Sequence, residues 1–157
     1  MAKTELKLHA VVSPTETVVV SAYDKDSKAF VLGFPGVDQV MEADYLGVES
    51  GYNTDKLANI GYTTSPAKNV HAPVINEFRL SLECEIVHTV TVGSHTQVTG
   101  EVKRIIADEN ILNEKNKIDL GKLKPIIYDE EQFRYLSVGE KIADAFRPGA
   151  EMKKKLQ

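Results

Sequence analysis

The feature that most constrains the fold is a regular alternation of apolar and polar side chains along residues 78–86. The apolar members of the pattern are Phe78, Leu80, Leu82, Cys84 and Ile86. Successive side chains of a β-strand point to opposite faces of its sheet, so the alternation predicts a strand with one buried face. The following segment, HTVTVGSHTQVTGEV at 88–102, predicts another strand, interrupted at Gly93 and Ser94. We expect the two segments to pair in antiparallel fashion.

An earlier part of the chain predicts a β-hairpin. Residues 17–23 and 28–32 are rich in β-branched and aromatic side chains, which favour strands. The intervening residues, 24–27, have the charged and small side chains of a turn. The sequence therefore predicts two short strands that are joined directly.

Two helices are expected between the hairpin and the alternating strand. Over 37–48, apolar residues recur close to helical spacing with acidic residues between them, which predicts an amphipathic helix. A shorter helix is expected after residues 50–54. Asn53 or Thr54 would accept a hydrogen bond from an unpaired backbone N–H at its start, and Gly61 would end it.

The C-terminal region predicts a third helix. Ser137 and Glu140 have the spacing of a capping box, in which each side chain accepts a hydrogen bond from the other residue's backbone N–H. The predicted helix carries Ile142, Ala145 and Phe146, and Pro148 with Gly149 would stop it. Strands with few, short helices indicate a mainly β chain, a β-barrel or an α+β arrangement, folded as a single domain over 1–157.

Composition excludes several classes of function. The net charge is -4 and the basic residues are scattered, so we expect no nucleic-acid partner; the run at Lys153, Lys154 and Lys155 is interpreted as a solvated tail. Cys84 is the only cysteine and cannot form an internal disulfide, which favours a reducing, cytoplasmic location. No apolar run reaches the ~18 residues that span a bilayer, and the first residues do not resemble a signal peptide, so no membrane association is expected.

A metal site is not expected from the cysteine and histidine residues. On one strand, Cys84 and His88 would point the same way but lie about 13 Å apart at ~3.3 Å per residue, too far to share one ion. Cys84 belongs to an apolar face and is interpreted as a buried small hydrophobe. We therefore predict no metal ligands.

His95 is the first candidate functional residue. It shares a strand face with Gln97, Thr99 and Glu101, opposite Val98 and Val102, so one face presents hydrogen-bonding groups in a row. Two interpretations remain open. The row is either an ordinary solvent-facing strand or the polar wall of a ligand pocket, with a histidine that can donate a hydrogen bond or carry charge near neutral pH.

The second candidate is the stretch 50–56. Free backbone N–H groups at a helix start, flexible Gly51 and cationic Lys56 could hold a phosphate. The alternative is a capped helix with a solvated lysine. The stretch fits neither the P-loop nor the dinucleotide-binding fingerprint, so the sequence alone leaves this choice open.

Taken together, several motifs resemble the flavin reductase-like, FMN-binding split-barrel family, and its flavoredoxin branch in particular. In chain order they are AFVLGFPG at 29–36, EADYLG at 42–47, Ser50-Gly51 followed by Asp55-Lys56-Leu57, Ala72-Pro73, LECEI at 82–86, GSHTQ at 93–97, GEV at 100–102, and IIY at 126–128 with Tyr135, Gly139 and Ala145-Phe146. No single motif decides the resemblance. Their order covers most of the chain from residue 28 onward.

The resemblance implies a Greek-key split barrel that forms a homodimer and binds FMN without a covalent bond. It implies hydride transfer from NADH or NADPH, or electron relay to a redox partner protein. His95 would be the catalytic residue. The cofactor-binding residues would be Ser50, Gly51, Asp55, Lys56, Ser94, His95 and Thr96. The alternative is a non-catalytic dimeric split-barrel module, for binding or structure, that has lost FMN.

One departure from the family pattern lies between Ser27 and Lys28. The family has several dozen residues there, which supply central barrel strands and contacts to FMN. We expect that such a segment exists but is omitted from the sequence. A true deletion would instead leave exposed strand edges, and the barrel would then not hold FMN.

Overall fold

The computed structural model describes residues 15–23 and 26–157 and shows a mainly β chain with short helices, as the sequence predicts. The strands are β1 Thr15–Glu16, β2 Val19–Ser21, β3 Ala29–Gly33, β4 Thr64–Pro66, β5 Pro73–Ile75, β6 Leu80–Val92, β7 His95–Ala107, β8 Ile126–Asp129 and β9 Arg134–Ser137. The helices are α1 Val40–Val48, α2 Lys56–Asn59, α3 Leu120–Leu123 and α4 Arg147–Lys155, with 3-10 turns at Val37–Gln39 and Glu109–Ile111.

The main sheet has four antiparallel strands in the order β2-β3-β6-β7. The predicted pairing of the alternating strand with the threonine-rich strand is confirmed, with Cys84 opposite Val102 and Val92 opposite His95 across the Gly93 and Ser94 turn. Register shifts between Glu83 and Cys84 and between Ile86 and His88 mark β-bulges. They bend this long pair where it leaves the rest of the sheet.

A second sheet, in the order β1-β8-β9, connects to the main sheet through the first described residues. β1 pairs with β8, and the Thr17 backbone N–H donates to the Ile126 carbonyl at 2.9 Å. Only two residues separate β1 from β2, so one extended segment belongs to both sheets. β4 and β5 form a third, two-stranded sheet, in a region where the sequence shows no strand pattern.

The core lies between the inner part of the main sheet and the elements packed on it. One face carries Val31 with Ala72 and Val74, and the other carries Leu80 with Ile111 and Leu123, among other residues. A third cluster, Leu46, Ile75 and Phe78, fixes α1 against β5. The far end of the long pair differs, because residues 87–99, here called the outer hairpin, are all exposed.

Glu83 is the one charged side chain inside this core among the described residues, and it is fully buried. Its carboxylate accepts hydrogen bonds from the backbone N–H groups of Lys68 and Asn69 at 3.2 and 2.8 Å and from Arg104 Nη1 at 2.9 Å. Burial by itself raises the pKa of Glu83, but these three donors outweigh it and hold the pKa below its usual range. The group ties the loop after β4 to the sheet.

Three predicted helix boundaries are wrong. Ser137 ends β9, and the last helix, α4, begins at Arg147, so the expected capping box does not form. Pro148 and Gly149 lie in the first turn of α4 and do not stop it, because a proline in the first turn removes only an N–H that has no partner in the helix. At α2 the N-cap is Asp55, neither Asn53 nor Thr54; its side chain accepts from the Ala58 N–H at 3.1 Å.

The expectation of an omitted segment between Ser27 and Lys28 stays a prediction. The 157-residue chain is continuous from Ser27 to Lys28, and β2 pairs directly with β3, with Val20 opposite Leu32. The main sheet consequently ends at β2 on one side and at β7 on the other. Both are edge strands of this chain.

Candidate functional site

Two adjoining cavities lie where β2, α1 and α2 meet. The first, here called the β2–α1 cavity, has a volume of about 430 Å³ and is lined mainly by residues 17–22, by Ala43 and Leu46 of α1, and by Tyr135 of β9. The second, the 51–57 cavity, has a volume of about 540 Å³ and is lined by the loop before α2 and its first turn. Lys56 and Leu57 line both cavities. The β2–α1 cavity by itself is in the size range of natural ligand pockets, whereas the 51–57 cavity is shallow and largely open to solvent.

The local sequence explains how Lys56 comes to lie between the two cavities. The cap at Asp55 starts α2, and Leu57 on the next position packs with the cluster formed by Leu46 and Phe78. Lys56 Nζ then reaches back to donate to the Leu46 carbonyl near the C-terminus of α1 at 2.6 Å. A cation is favoured there because the last carbonyl groups of a helix carry partial negative charge.

Three hydroxyl groups belong to residues that line the β2–α1 cavity. Ser21 Oγ donates to the Pro73 carbonyl at 2.7 Å. Tyr135 Oη donates to Asp44 Oδ1 at 2.8 Å, and burial together with that carboxylate raises the pKa of Tyr135 to about 12. Thr17 Oγ1 is buried and has no hydrogen-bond partner among the described residues. A buried hydroxyl without a partner is unfavourable, which makes this atom a candidate donor to a ligand that binds beside it.

Of the predicted cofactor-binding residues, Gly51, Asp55 and Lys56 lie together around the 51–57 cavity. Ser50 lies next to it in the chain, and its hydroxyl accepts from the Tyr52 N–H at 3.3 Å. The side chain of Asp55 is used as the helix cap. Both interpretations of this stretch therefore hold in part, because the helix is capped and a lysine also faces an open cavity.

The predicted catalytic residue lies elsewhere. His95 is exposed at the tip of the outer hairpin, and its Nδ1 is 3.1 Å from Ser94 Oγ. Thr96 lines a separate cavity of about 540 Å³ that it shares with Lys28 and His88. Within one chain, the structure does not bring this group and the 51–57 stretch to one cavity. The polar row of β7 faces solvent, as in the simpler of the two sequence interpretations.

The sequence does not predict Thr17 or Tyr135 as site residues. Its patterns place Thr17 only at the start of a strand and Tyr135 only in the C-terminal part of the family pattern. No local motif marks either one. They become neighbours of the same cavity because β9 pairs with β8, and the segment from β1 to β2 joins both sheets.

The cysteine lies in the core, as the sequence indicates. Cys84 is buried, and burial raises the pKa of its thiol, so it is an inert core residue. Among residues 15–23 and 26–157, no group of three or more histidine, cysteine or acidic side chains is arranged to hold a metal ion. In the same part of the chain, no helix has both the length and the apolar character needed to cross a membrane.

Comparison with known proteins identifies the family. The model of the flavin reductase like domain matches residues 9–137, most of the chain. The chain belongs to this family. The motifs at 29–36, 42–47, 82–86 and 93–97, on which the resemblance was based, all lie inside the matched region.

Individual relatives agree with this assignment. The flavoredoxin of Desulfovibrio vulgaris has a similar structure, with a TM-score of 0.84 and 28% identity over 93% of this chain and 100% of its own. An FMN-binding protein from Thermus thermophilus has a TM-score of 0.69 at 16% identity over 92% of this chain and 99% of its own, which supports the split-barrel fold alone. An uncharacterized protein from Archaeoglobus fulgidus is 30% identical over 81 residues, 52% of this chain and 46% of that protein. The chain spans about half the length of the curated relatives that it matches.

Proposed function

We propose that this chain is an FMN-binding oxidoreductase that acts as a homodimer, takes electrons from NADH or NADPH and passes them to a small molecule or a redox partner protein. The observation that carries the proposal is the β2–α1 cavity in a member of the flavin reductase-like family. Its walls are mainly aliphatic, Lys56 is among its lining residues, and the buried hydroxyl of Thr17 beside it has no partner among the described residues. A flat, largely apolar ring with polar edges suits such a lining.

The residues of the two cavities have separate roles in this proposal. Lys56, with Ser50, Gly51 and Asp55 beside it, would hold the polar end of FMN in the 51–57 cavity. Thr17 would donate to an acceptor atom of the ring system from the β2–α1 cavity. The aliphatic side chains of Ala43 and Leu46 would exclude water from the ring.

The redox chemistry itself would come from bound FMN, which can accept two electrons and release them. The ammonium group of Lys56 places a positive charge beside the cavities and favours an anionic over a neutral ligand. Tyr135, with a pKa of about 12, stays a neutral hydrogen-bond donor at physiological pH, and its bond to Asp44 holds β9 on α1. In this proposal, the chain's own residues therefore bind FMN, orient it and exclude water from its ring.

A homodimer would also give the outer hairpin a role. In one chain, Ser94, His95 and Thr96 line neither of the two cavities around Lys56. If they contact FMN, they do so from a second copy of the chain. We propose His95 as the residue that would donate a hydrogen bond to the cofactor in that arrangement. A reducing cytoplasm is the proposed location, since the single thiol, Cys84, is free and buried.

A second candidate is a non-catalytic split-barrel module without FMN. The direct connection between β2 and β3 favours it, because the family segment that supplies further barrel strands is absent there. The two candidates differ in a simple property. The first protein is yellow with FMN bound and loses its visible absorbance when NADH or NADPH is added, whereas the second stays colourless in the presence of FMN.

Two variants test the site itself. Thr17→Val removes the unpartnered hydroxyl; we expect the free energy of unfolding of the FMN-free chain to rise by about 1 kcal/mol and the FMN dissociation constant to rise about 5-fold. Lys56→Met should raise the FMN dissociation constant about 10-fold, with Lys115→Met, in an exposed loop, as its control. Flavin fluorescence gives the dissociation constants and urea unfolding gives the stability. Equal FMN affinity in all three variants and in the parent chain would rule out this site.

A further inference from the structure

The last twenty residues form an arm that stays apart from the rest of the chain. All of residues 138–157 are exposed. Ile142 is 100% exposed, Phe146 91% and Leu156 80%, and large apolar side chains are rarely left so open without a partner. The arm thus carries an uncovered apolar surface.

The polar contacts of the arm are internal. Lys141 Nζ lies 2.6 Å from Asp144 Oδ1, and the Ala150 N–H donates to the Phe146 carbonyl at 3.1 Å. Within residues 15–23 and 26–157, no hydrogen bond or ion pair joins the arm to residues before 138. The rest of the described chain therefore does not explain the position of the arm.

The helix at the end of the arm is amphipathic. At 100° per residue, Ala150, Met152 and Leu156 fall on one side of α4, and its charged residues lie mainly on the other; Phe146 is the residue just before the helix. A helix of this kind is stabilised mainly when its apolar side packs on another surface. The pattern therefore predicts that the apolar side of α4 packs on another surface.

Charge favours a protein surface with the composition of this chain's own body. The arm, residues 138–157, has five basic and three acidic side chains and a net charge of +2. The body, residues 1–137, has fourteen basic and twenty acidic side chains and a net charge of -6. Opposite net charges attract the arm to the body of another copy. An anionic membrane would attract the arm but repel the body, so it is the less favoured occupant.

The body offers an apolar surface of matching character on β7. Val98, Val102 and Ile105 are 45%, 47% and 58% exposed although they lie on strand faces. Val102 is opposite Cys84, which is opposite Phe30, and Ile105 is opposite Leu82, so these side chains continue the core face of the sheet toward its open edge. The apolar face therefore extends past the elements that cover it.

We propose that the arm docks on the β7 face of a second copy of the chain, and that the exchange is reciprocal. This inference rests on the homodimer of the proposed function and identifies the surfaces that form it. Twenty arm residues correspond to the 20–30 residues per side of a standard stable interface, and a two-fold axis makes each copy both donor and receiver. Ile142, Phe146 and Leu156 are the anchors.

The first test is the oligomeric state of the full chain, with and without FMN, by sedimentation equilibrium. The variant Ile142→Ser/Phe146→Ser should raise the dimer dissociation constant at least 10-fold and leave the unfolding midpoint of the monomer unchanged, because both side chains are solvent-exposed. Met41→Ser, at a 79% exposed site on α1, is the control and should leave the dimer intact. A monomeric parent chain, or a dimer that the double variant does not weaken, overturns the proposal.

A cross-linking test locates the surfaces. Chains with Phe146→Cys are mixed with chains carrying Ile105→Cys and oxidised; Cys84 is buried and does not compete. We expect a disulfide-linked heterodimer, and Tyr52→Cys in place of Ile105→Cys should not give one. A single chain that carries both Phe146→Cys and Ile105→Cys serves as a further test. An internal disulfide in that chain, or binding of the monomer to anionic vesicles, contradicts the proposal. FMN titration of the parent chain keeps the two proposals apart, because a parent dimer that does not bind FMN removes only the proposed function.

Discussion

The inner and outer parts of the β6–β7 pair belong to the same two strands but have different surroundings. In the inner part, Leu80, Ser81, Glu83 and Cys84 are buried. Leu80 packs with Ile111 and Leu123, and Glu83 accepts hydrogen bonds from the loop after β4. In the outer hairpin, Val90 and Val92 are 40% and 65% exposed, and every residue from 87 to 99 is exposed. Backbone pairing continues across both parts without interruption except at two bulges.

The difference shows that strand pairing and burial have separate causes here. Pairing follows from local sequence, because β-branched residues and the Gly93 turn are enough to form the hairpin. Burial requires that other elements pack on the strands. In the inner part these elements are β3, the loop after β4 and α3. The outer part, with similar residues, lacks them within the described chain. Its valines therefore indicate a surface that another copy covers under the proposed function.

The largest expected effect of a single substitution is at Glu83, in the inner part. Glu83→Gln removes a charge that three donors stabilise, and it leaves Arg104 without its ion pair. We expect a loss of about 3 kcal/mol in the free energy of unfolding, measured by urea titration. Glu101→Gln, whose carboxylate is exposed and pairs with Lys103, should change it by less than about 0.5 kcal/mol. Equal effects at the two positions would show that the inner part is not the more tightly packed one.

The same carboxylate predicts a pH dependence. The pKa of Glu83 is lower in the folded chain than in the unfolded chain, so the unfolded state binds the proton first as the pH falls. The stabilisation is complete above the unfolded pKa and is lost as the pH falls through the folded pKa. Urea unfolding between pH 7 and pH 3 should show this loss in the parent chain and a smaller one in Glu83→Gln. Parallel curves for the two proteins would exclude the contribution of Glu83.

A smaller effect is expected at the boundary between the two parts. A Cβ on Gly100 would lie 2.6 Å from Phe30 Cζ and 3.2 Å from Cys84 Cβ, so the phenyl ring would have to move. We expect Gly100→Ala to destabilise the fold by about 2 kcal/mol. At Gly139, where no atom lies within 4 Å of an added Cβ, the same substitution should be neutral or slightly stabilising. Thermal unfolding of both variants distinguishes a packed boundary from an open one.

The smallest effect is expected in the outer hairpin itself. Val92→Thr should change monomer stability by less than about 0.5 kcal/mol, because the side chain is already solvated. The same substitution at Val31, which is 0% exposed, should cost about 2 kcal/mol because it buries a hydroxyl. A large loss of monomer stability in Val92→Thr would mean that the chain itself covers the outer hairpin.

The sequence predicts the elements with strong local patterns and fails where distant contacts decide. The alternation at 78–86 and the apolar spacing at 37–48 are strong enough to identify β6 and α1. The pattern at Ser137 and Glu140 predicts a helix start, but pairing with β8 places Ser137 in a strand. The short strands β4 and β5 have no pattern of their own and form because they pair with each other.

For the candidate site, the loop residues could be predicted and the partners across the fold could not. Gly51, Asp55 and Lys56 are close in sequence and lie on one cavity, as expected. Thr17 and Tyr135 lie far apart in sequence and line one cavity only through the β1-β8-β9 sheet. His95 illustrates the opposite case. Its polar row is visible in the sequence, but nothing there says whether solvent or a second copy faces it.

The most direct test is hydrogen exchange of the full chain with and without FMN. If FMN binds in the β2–α1 cavity, the backbone N–H groups of residues 17–22 and 43–47 should exchange at least 10-fold more slowly when it is present. Those of Thr64 and Ser65 in β4, which do not line the cavity, should not change. Unchanged exchange at 17–22 and 43–47 at a saturating FMN concentration would contradict a flavin site between β2 and α1.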